Sequence, residues 1–140
     1  MPNIQRAKSA CHCINLRRAA NTVSQMYDEC LKPTGLSVNQ FSLLRNIQRL
    51  GSCSVSDLAA FIGQERTTLV RTVKPLLDRG LILDGAARGT RNRALQITEL
   101  GQKVLGEGDA LWERAQLQME EKLGKEKLTE LERILELLAE

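Results

Sequence analysis

The sequence predicts a mainly α chain (α+β), and three observations carry that expectation. Apolar residues recur at helical spacing along most of its length, with only two short runs, Leu81–Asp84 and Arg93–Ile97, reading as strands. Cap-forming residues stand before three of the periodic stretches, at Ser37, Ser54 and Thr98. Aromatic residues make up only 3% of the chain, so the core must come from Leu, Ile, Val and Ala, which suits packed helices better than a β-sandwich. At 140 residues the chain is large enough for one core and too short for two independent domains.

From about Ile4 to Leu31 the residues Ala7, Ala10, Ile14, Ala19, Val23, Met26 and Cys30 predict a first long helix. Lys32-Pro33-Thr34-Gly35 ends it, because proline lacks the amide needed to continue the ladder and glycine favours a turn. Ser37-Val38-Asn39-Gln40 is a capping-box pattern, opening a helix that presents Phe41, Leu44, Ile47 and Leu50 and stops at Gly51. Ser54 and Asp57 repeat the signature before a short helix that ends near Ile62, with Gly63 as its stop. The next helix runs from near Glu65 to Gly80. On its wheel, Leu69, Val70, Val73, Leu76 and Leu77 form the buried face, and Pro75 predicts a bend or loosening. Thr98 caps a long helix to about Leu123, weakened in its first half by Gly101, Gly106 and Gly108. After Gly124, the stripe Leu128, Leu131, Leu135 and Leu138, broadened by Ile134 and Leu137, needs something to pack against.

Two short helices followed by a basic hairpin form a winged helix-turn-helix, a device for laying one helix in the major groove of DNA. The charge distribution agrees. Seven cations against three acids between Gln64 and Arg93 leave +4, while nine acids against five cations from Asp109 to Glu140 leave −4. The expected DNA-contacting residues are Ser54, Gln64, Arg66, Thr67, Thr68, Arg71 and Lys74, together with Arg88, Arg91 and Arg93 of the wing. Arg71 can donate two parallel hydrogen bonds to guanine, and the wing arginines suit phosphate or the minor groove. The competing reading is a winged-helix protein-interaction module without DNA binding, since the fold alone does not guarantee it.

The sequence resembles the MarR family of winged-helix transcriptional regulators over nearly its whole length. The carrying residues are the run Gly35 to Leu44, the run Ser54 to Gly63, Thr67-Thr68-Leu69-Val70-Arg71, Leu76 to Ile82, and Arg91 followed by Leu95, Ile97, Thr98 and Gly101. One departure is Gly89, where the family usually has an acidic residue two positions before the wing arginine. The resemblance implies one domain over 1–140, with dimerisation helices at 4–32 and 99–140 around a winged-helix DNA-binding region at 36–98. It further implies a homodimer joined through the first helix and the last two, a pseudo-palindromic double-stranded DNA operator, and a small apolar or aromatic effector in the cleft between the dimer helices and the winged region. The stripe Leu128, Leu131, Leu135 and Leu138, read on its own, needs either that partner or an intramolecular core. Trp112 and Met119 could line that cleft, although core packing is the simpler assignment for both.

Sensing could also enter through a thiol. The organic-hydroperoxide sensors of the same family carry a reactive cysteine in the first helix, and counting forward from Cys13 places Tyr27, Leu31, Gln40 and Phe41 at matching positions, with Arg17 where that subgroup has a tyrosine. Cys13 and Tyr27 are therefore the redox candidates, against the plainer reading of Cys13 as a small packed cysteine. Cys30 and Cys53 read as structural. Cys11-His12-Cys13 does not suit a metal, because helical residues two apart diverge by about 200° and no tetrahedral zinc spacing is present. With one histidine, no phosphate-binding glycine loop and no nucleophile beside a base, the chain offers no enzyme chemistry and calls for no cofactor. No apolar run approaches the roughly 20 residues of a spanning helix, so the expected setting is the cytoplasm, away from any membrane.

Overall fold

A computed structural model describes residues 6–85 and 94–140. Its elements run α1 (His12–Leu31), a 3₁₀ turn (Lys32–Thr34), α2 (Val38–Leu50), α3 (Val55–Ile62), α4 (Arg66–Asp78), β1 (Ile82–Asp84), β2 (Leu95–Ile97), α5 (Glu99–Leu123) and α6 (Lys125–Ala139). The architecture is a small winged helix-turn-helix, α2 to β2, set against the long helices α1 and α5.

Local chemistry explains most boundaries. The capping box before α2 is complete: the Ser37 hydroxyl accepts from the Gln40 amide, and the Gln40 side chain accepts from the Ser37 amide. Asp28 of α1 adds a second cap by accepting from the Val38 amide at 2.7 Å, which ties α1 to the start of α2. Ser54 caps α3 at the Asp57 amide, and Gly63 closes it at φ 71°, a left-handed conformation suited to glycine. Thr98 caps α5 at the Gly101 amide and also donates to the Gly80 carbonyl at 2.7 Å. One threonine thus joins the C-terminal end of α4 to the N-terminal end of α5.

The core is one cluster drawn from every layer. Leu31 of α1, Leu44 and Ile47 of α2, Leu58 of α3, Leu69 and Leu76 of α4, Leu81, Leu95 of β2 and Leu105 of α5 are essentially inaccessible to solvent. Strands β1 and β2 pair antiparallel with Ile82 opposite Ile97 and Asp84 opposite Leu95. The loop before α3 joins them: Cys53 donates to the Leu95 carbonyl at 3.1 Å and accepts from its amide at 2.7 Å. This third rung is what docks the wing's base onto α3.

Four expectations change on contact with the structure. Helix α1 begins at His12 rather than near Ile4. Ahead of it, the Ser9 hydroxyl accepts from the Cys11 amide, and the carbonyls of Ala7 and Ser9 are taken by Arg18 and Asn15 side chains. Local side-chain bonds of this kind compete with the helix ladder, and two alanines are weak evidence for a buried face. Val70 does not join the buried face of α4 and is 41% exposed. Leu69, Val73 and Leu76 share a line, whereas Val70 lies about 100° round from Leu69. Pro75 removes one amide, yet α4 runs continuously to Asp78, and the Arg79 amide still reaches the Pro75 carbonyl at 3.1 Å.

The glycines of α5 supply the fourth change, since two of them are close-approach points rather than weaknesses. A Cβ on Gly101 would stand 2.2 Å from the Leu81 carbonyl oxygen, and one on Gly108 would stand 2.4 Å from the Phe41 ring. Only hydrogen fits at either place, so these positions let α5 lie directly on the winged core. Gly106 faces open space.

Candidate nucleic-acid interface

Helix α4 has the form of a recognition helix. Its core line, Leu69, Val73 and Leu76, is buried, while Arg66, Thr67, Thr68, Arg71 and Lys74 are exposed. Gln64 is exposed in the turn before it. The N-terminus of α4 differs from those of α2, α3 and α5 in lacking a side-chain cap: its N-cap, Glu65, makes no such hydrogen bond. Uncapped amides at a helix start, beside arginine and hydroxyl groups, are what a phosphate oxygen requires. Lys74 also stands 3.9 Å from Asp78, an exposed pair of the kind that contributes little to stability.

The other expected contacts fall in different places. Ser54 is half-buried and its hydroxyl is occupied by the α3 cap. Arg88, Arg91 and Arg93 lie outside the described residues. Arg79, counted among the cations of this region, is exposed but engaged elsewhere. Its guanidinium donates to the carbonyls of Gly35 and Thr34 at 3.0 and 3.2 Å, clamping the turn that precedes α2. Gly35 takes φ 72°, and an added Cβ there would meet the Arg79 guanidinium at 3.2 Å.

The family resemblance implies a cleft between the dimer helices and the winged region, with Trp112 as a candidate lining residue, and a cavity does open there, between α2 and α5. Arg45, Arg49 and Asp109 are the lining residues that sequence reasoning missed. A space of about 580 Å³ is lined by Phe41, Arg45, Arg49, Asp109 and Trp112, among others. Arg45 pairs with Asp109, donates to Gln48 at 2.9 Å and lies over the Phe41 ring, 5.6 Å from its centroid. Trp112, for which core packing was the simpler assignment, stands 38% exposed at this cavity. Its spacing on an apolar helix face resembles a core position, and only the position of α2 shows otherwise. Met119 is half-buried and lines a separate apolar groove of about 400 Å³ with Val23, Met26 and Leu131.

The thiol candidates are separated. Cys13 is exposed in the first turn of α1, whereas Tyr27 lies 14 residues further on, about 21 Å along the helix. Tyr27 donates to the Gln116 side chain, and burial, followed by the nearby Cys30, raises its phenol pKa. One chain does not bring the two together. Cys53 is buried with its thiol pKa raised by burial and then by Asp57. Among the described residues no group of histidine, cysteine and carboxylate side chains could hold a metal ion, and no helix is long and apolar enough to cross a membrane.

Helix α6 has no buried residue: Leu128 and Leu131 are half-covered, and Leu135 and Leu138 are 49% and 59% exposed.

Comparison with known proteins identifies this arrangement. The MarR family model matches residues 36–83, the segment from the start of α2 to the wing. The M. tuberculosis transcriptional regulator MosR is 31% identical, with the match covering 94% of this chain and 99% of that one at a TM-score of 0.72. The chain belongs to the MarR family. It is a DNA-binding transcriptional regulator. A second MosR structure, in complex with DNA, is 33% identical over 91% of this chain and 98% of that one, at a TM-score of 0.73. The transcriptional repressor CouR is 25% identical over 92% of each chain, at a TM-score of 0.81. CouR from Rhodococcus jostii RHA1, bound to p-coumaroyl-CoA, matches at 23% identity over 96% of each chain, with a TM-score of 0.73. Within this MarR-type fold, the exposed face of α4 is the side expected to meet the duplex.

Proposed function

We propose that the chain acts as a homodimeric repressor that sets two copies of α4 in successive major grooves of a pseudo-palindromic operator and is released by a small effector. The observation that carries this reading is α4 itself: one face locked into the core, the other carrying Arg66, Thr67, Thr68, Arg71 and Lys74 into solvent. Two such helices must stand roughly 34–36 Å apart to meet one turn of DNA, which calls for a dimer.

The terminal helices support that partner. Ile14 and Leu16 of α1 and Ile134, Leu135, Leu137 and Leu138 of α6 are exposed apolar residues. Charge leans the same way: residues 1–27 carry Arg6, Lys8, Arg17 and Arg18 and no acid, while α6 carries Glu126, Glu130, Glu132 and Glu136 against Lys125, Lys127 and Arg133, a net −1. A second copy that lays its α1 near α6 covers apolar surface and pairs opposite charges.

The effector fits the α2–α5 cavity, where the exposed Trp112 offers its indole and Arg45 and Arg49 offer cationic donors. A small aromatic molecule with an acidic group suits that lining. By competing with Asp109 for Arg45 it would loosen the one ion pair between α2 and α5 among the described residues, shifting the winged region against the dimer helices. The chain's work is binding rather than turnover.

A second release route rests on the exposed Cys13 thiol. An organic hydroperoxide would oxidise it to the sulfenic acid, the peroxide O–O bond breaking and an alcohol leaving. Peroxide release of DNA that persists in Cys13→Ser removes this route.

A gel shift on duplexes from the neighbourhood of its own gene, repeated across salt, tests the main reading: binding is specific and falls steeply with salt. Arg71→Ala should cost about 1–3 kcal/mol and relax sequence preference. A wild-type chain that binds no duplex would leave the protein-interaction module as the better account.

A further inference from the structure

Between α2 and α4 lies a groove of about 390 Å³ whose polar lining is Asn39, Ser42, Asn46, Gln64, Thr68 and Thr72. Three of these residues stand on α2 at i, i+3 and i+7, forming a polar stripe along one side of that helix. The other three come from the turn before α4 and from its first half. No residue lining this groove is charged. The Thr72 hydroxyl donates to the Thr68 carbonyl, while the carboxamides of Asn39, Asn46 and Gln64 make no hydrogen bond to another described residue. Unpaired amide donors, a concave shape and no carboxylate therefore meet along the flank of the recognition helix.

We propose that this groove seats one phosphodiester strand of the DNA, with Asn39 and Asn46 donating to phosphate oxygens. The inference rests on the DNA-binding reading above and adds α2 to the contact surface. A helix lying in the major groove has a backbone strand on each side. The N-terminal half of α4, where Arg66 and Thr67 approach the duplex, forms one wall of this groove. Amide side chains are regular donors to phosphate oxygens, and contacts of this type fix orientation without reading sequence. Because they carry no charge, they displace no counterion, which gives them a signature distinct from that of Arg66, Arg71 and Lys74.

The test uses the full chain and a duplex it binds. Asn39 is exposed at the second position of α2, where an aspartate favours the helix dipole, so Asn39→Asp should keep or raise the melting temperature. It should nevertheless weaken DNA binding by roughly tenfold at low salt, since a carboxylate faces phosphate. The pair Asn39→Ala and Asn46→Ala together should also lose roughly tenfold in affinity. In that double variant the slope of log K against log salt stays at the wild-type value, and operator and non-operator duplexes weaken in the same ratio. Wild-type affinity in Asn39→Asp overturns the proposal, as does a double variant that loses affinity only for the operator. A wild-type chain that binds no duplex is the separate failure of the underlying reading.

Discussion

The winged core and the terminal helices of this chain are built on opposite terms. From α2 to β2 most apolar side chains are buried or packed against the core, with Phe61, Val70 and Leu83 the large exceptions. Two of the three helices open on serine caps, and the sheet is anchored by Cys53. The first turns of α1 and the whole of α6 carry comparable apolar stripes and bury almost nothing. Apolar burial contributes about 25 cal/mol per Å², so a stripe facing water forgoes that contribution until a partner covers it. The core is therefore complete within one chain, and in the dimer proposed above the ends would be covered by a second. Between them, α5 belongs to both: Gly101 and Gly108 press its first half onto the core, while its second half runs out to α6.

The comparison is broken most directly at that junction. Gly101→Ala places a methyl 2.2 Å from the Leu81 carbonyl oxygen and should destabilise the fold by about 3 kcal/mol or more, read by chemical or thermal unfolding. Gly106→Ala, on the same helix but facing open space, should instead stabilise by up to about 1 kcal/mol. Equal effects of the two substitutions would mean that α5 does not lie on the core as described.

Next in size is Leu135→Glu on α6. It should weaken self-association by about 2–3 kcal/mol, seen by sedimentation, and leave the unfolding of the winged core nearly unchanged. A stable dimer carrying that glutamate would place the interface elsewhere. Ser37→Ala acts within the core: loss of the α2 capping box should cost about 1 kcal/mol without changing the oligomeric state.

The smallest effect concerns the thiols. At about pH 8 the exposed Cys11 and Cys13 should alkylate quickly, whereas Cys53 should react only on unfolding. Burial raises the Cys53 pKa, so the fold favours its protonated form. That contribution is intact below the ordinary thiol pKa and is lost as pH rises through the raised value. Equal labelling of Cys53 and Cys13 in the native chain would contradict its burial.

Elements whose boundaries are set by local chemistry were legible in advance: the capping box at Ser37, the caps at Ser54 and Thr98, and the stop at Gly63. The exposed face of α4 was legible too, because a 3.6-residue wheel separates Arg71 from Leu69 without knowledge of the neighbours. Val70 escaped because it sits at the edge of the apolar arc, where the wheel cannot say how wide the covering surface is. Arg79 entered the sequence reading only as one cation of the basic stretch, and its clamp on Gly35 depends on a turn 44 residues away in sequence. The α2–α5 cavity was foreseen only through the family resemblance, which offered Trp112 as a candidate lining residue. Arg45 and Asp109 left no signal, since each resembles an ordinary position on its own helix.

Caps, turn glycines and apolar periodicity are interactions among residues a few positions apart, and the sequence by itself determined them: the helices, the hairpin and the exposed basic face of α4. Tertiary structure alone decided which glycines had to be glycine, which arginine became a clamp, and where two helices left an opening. The reason is distance along the chain. A Cβ that would collide with Leu81, or an Asp109 that reaches Arg45, depends on segments whose approach no local pattern encodes.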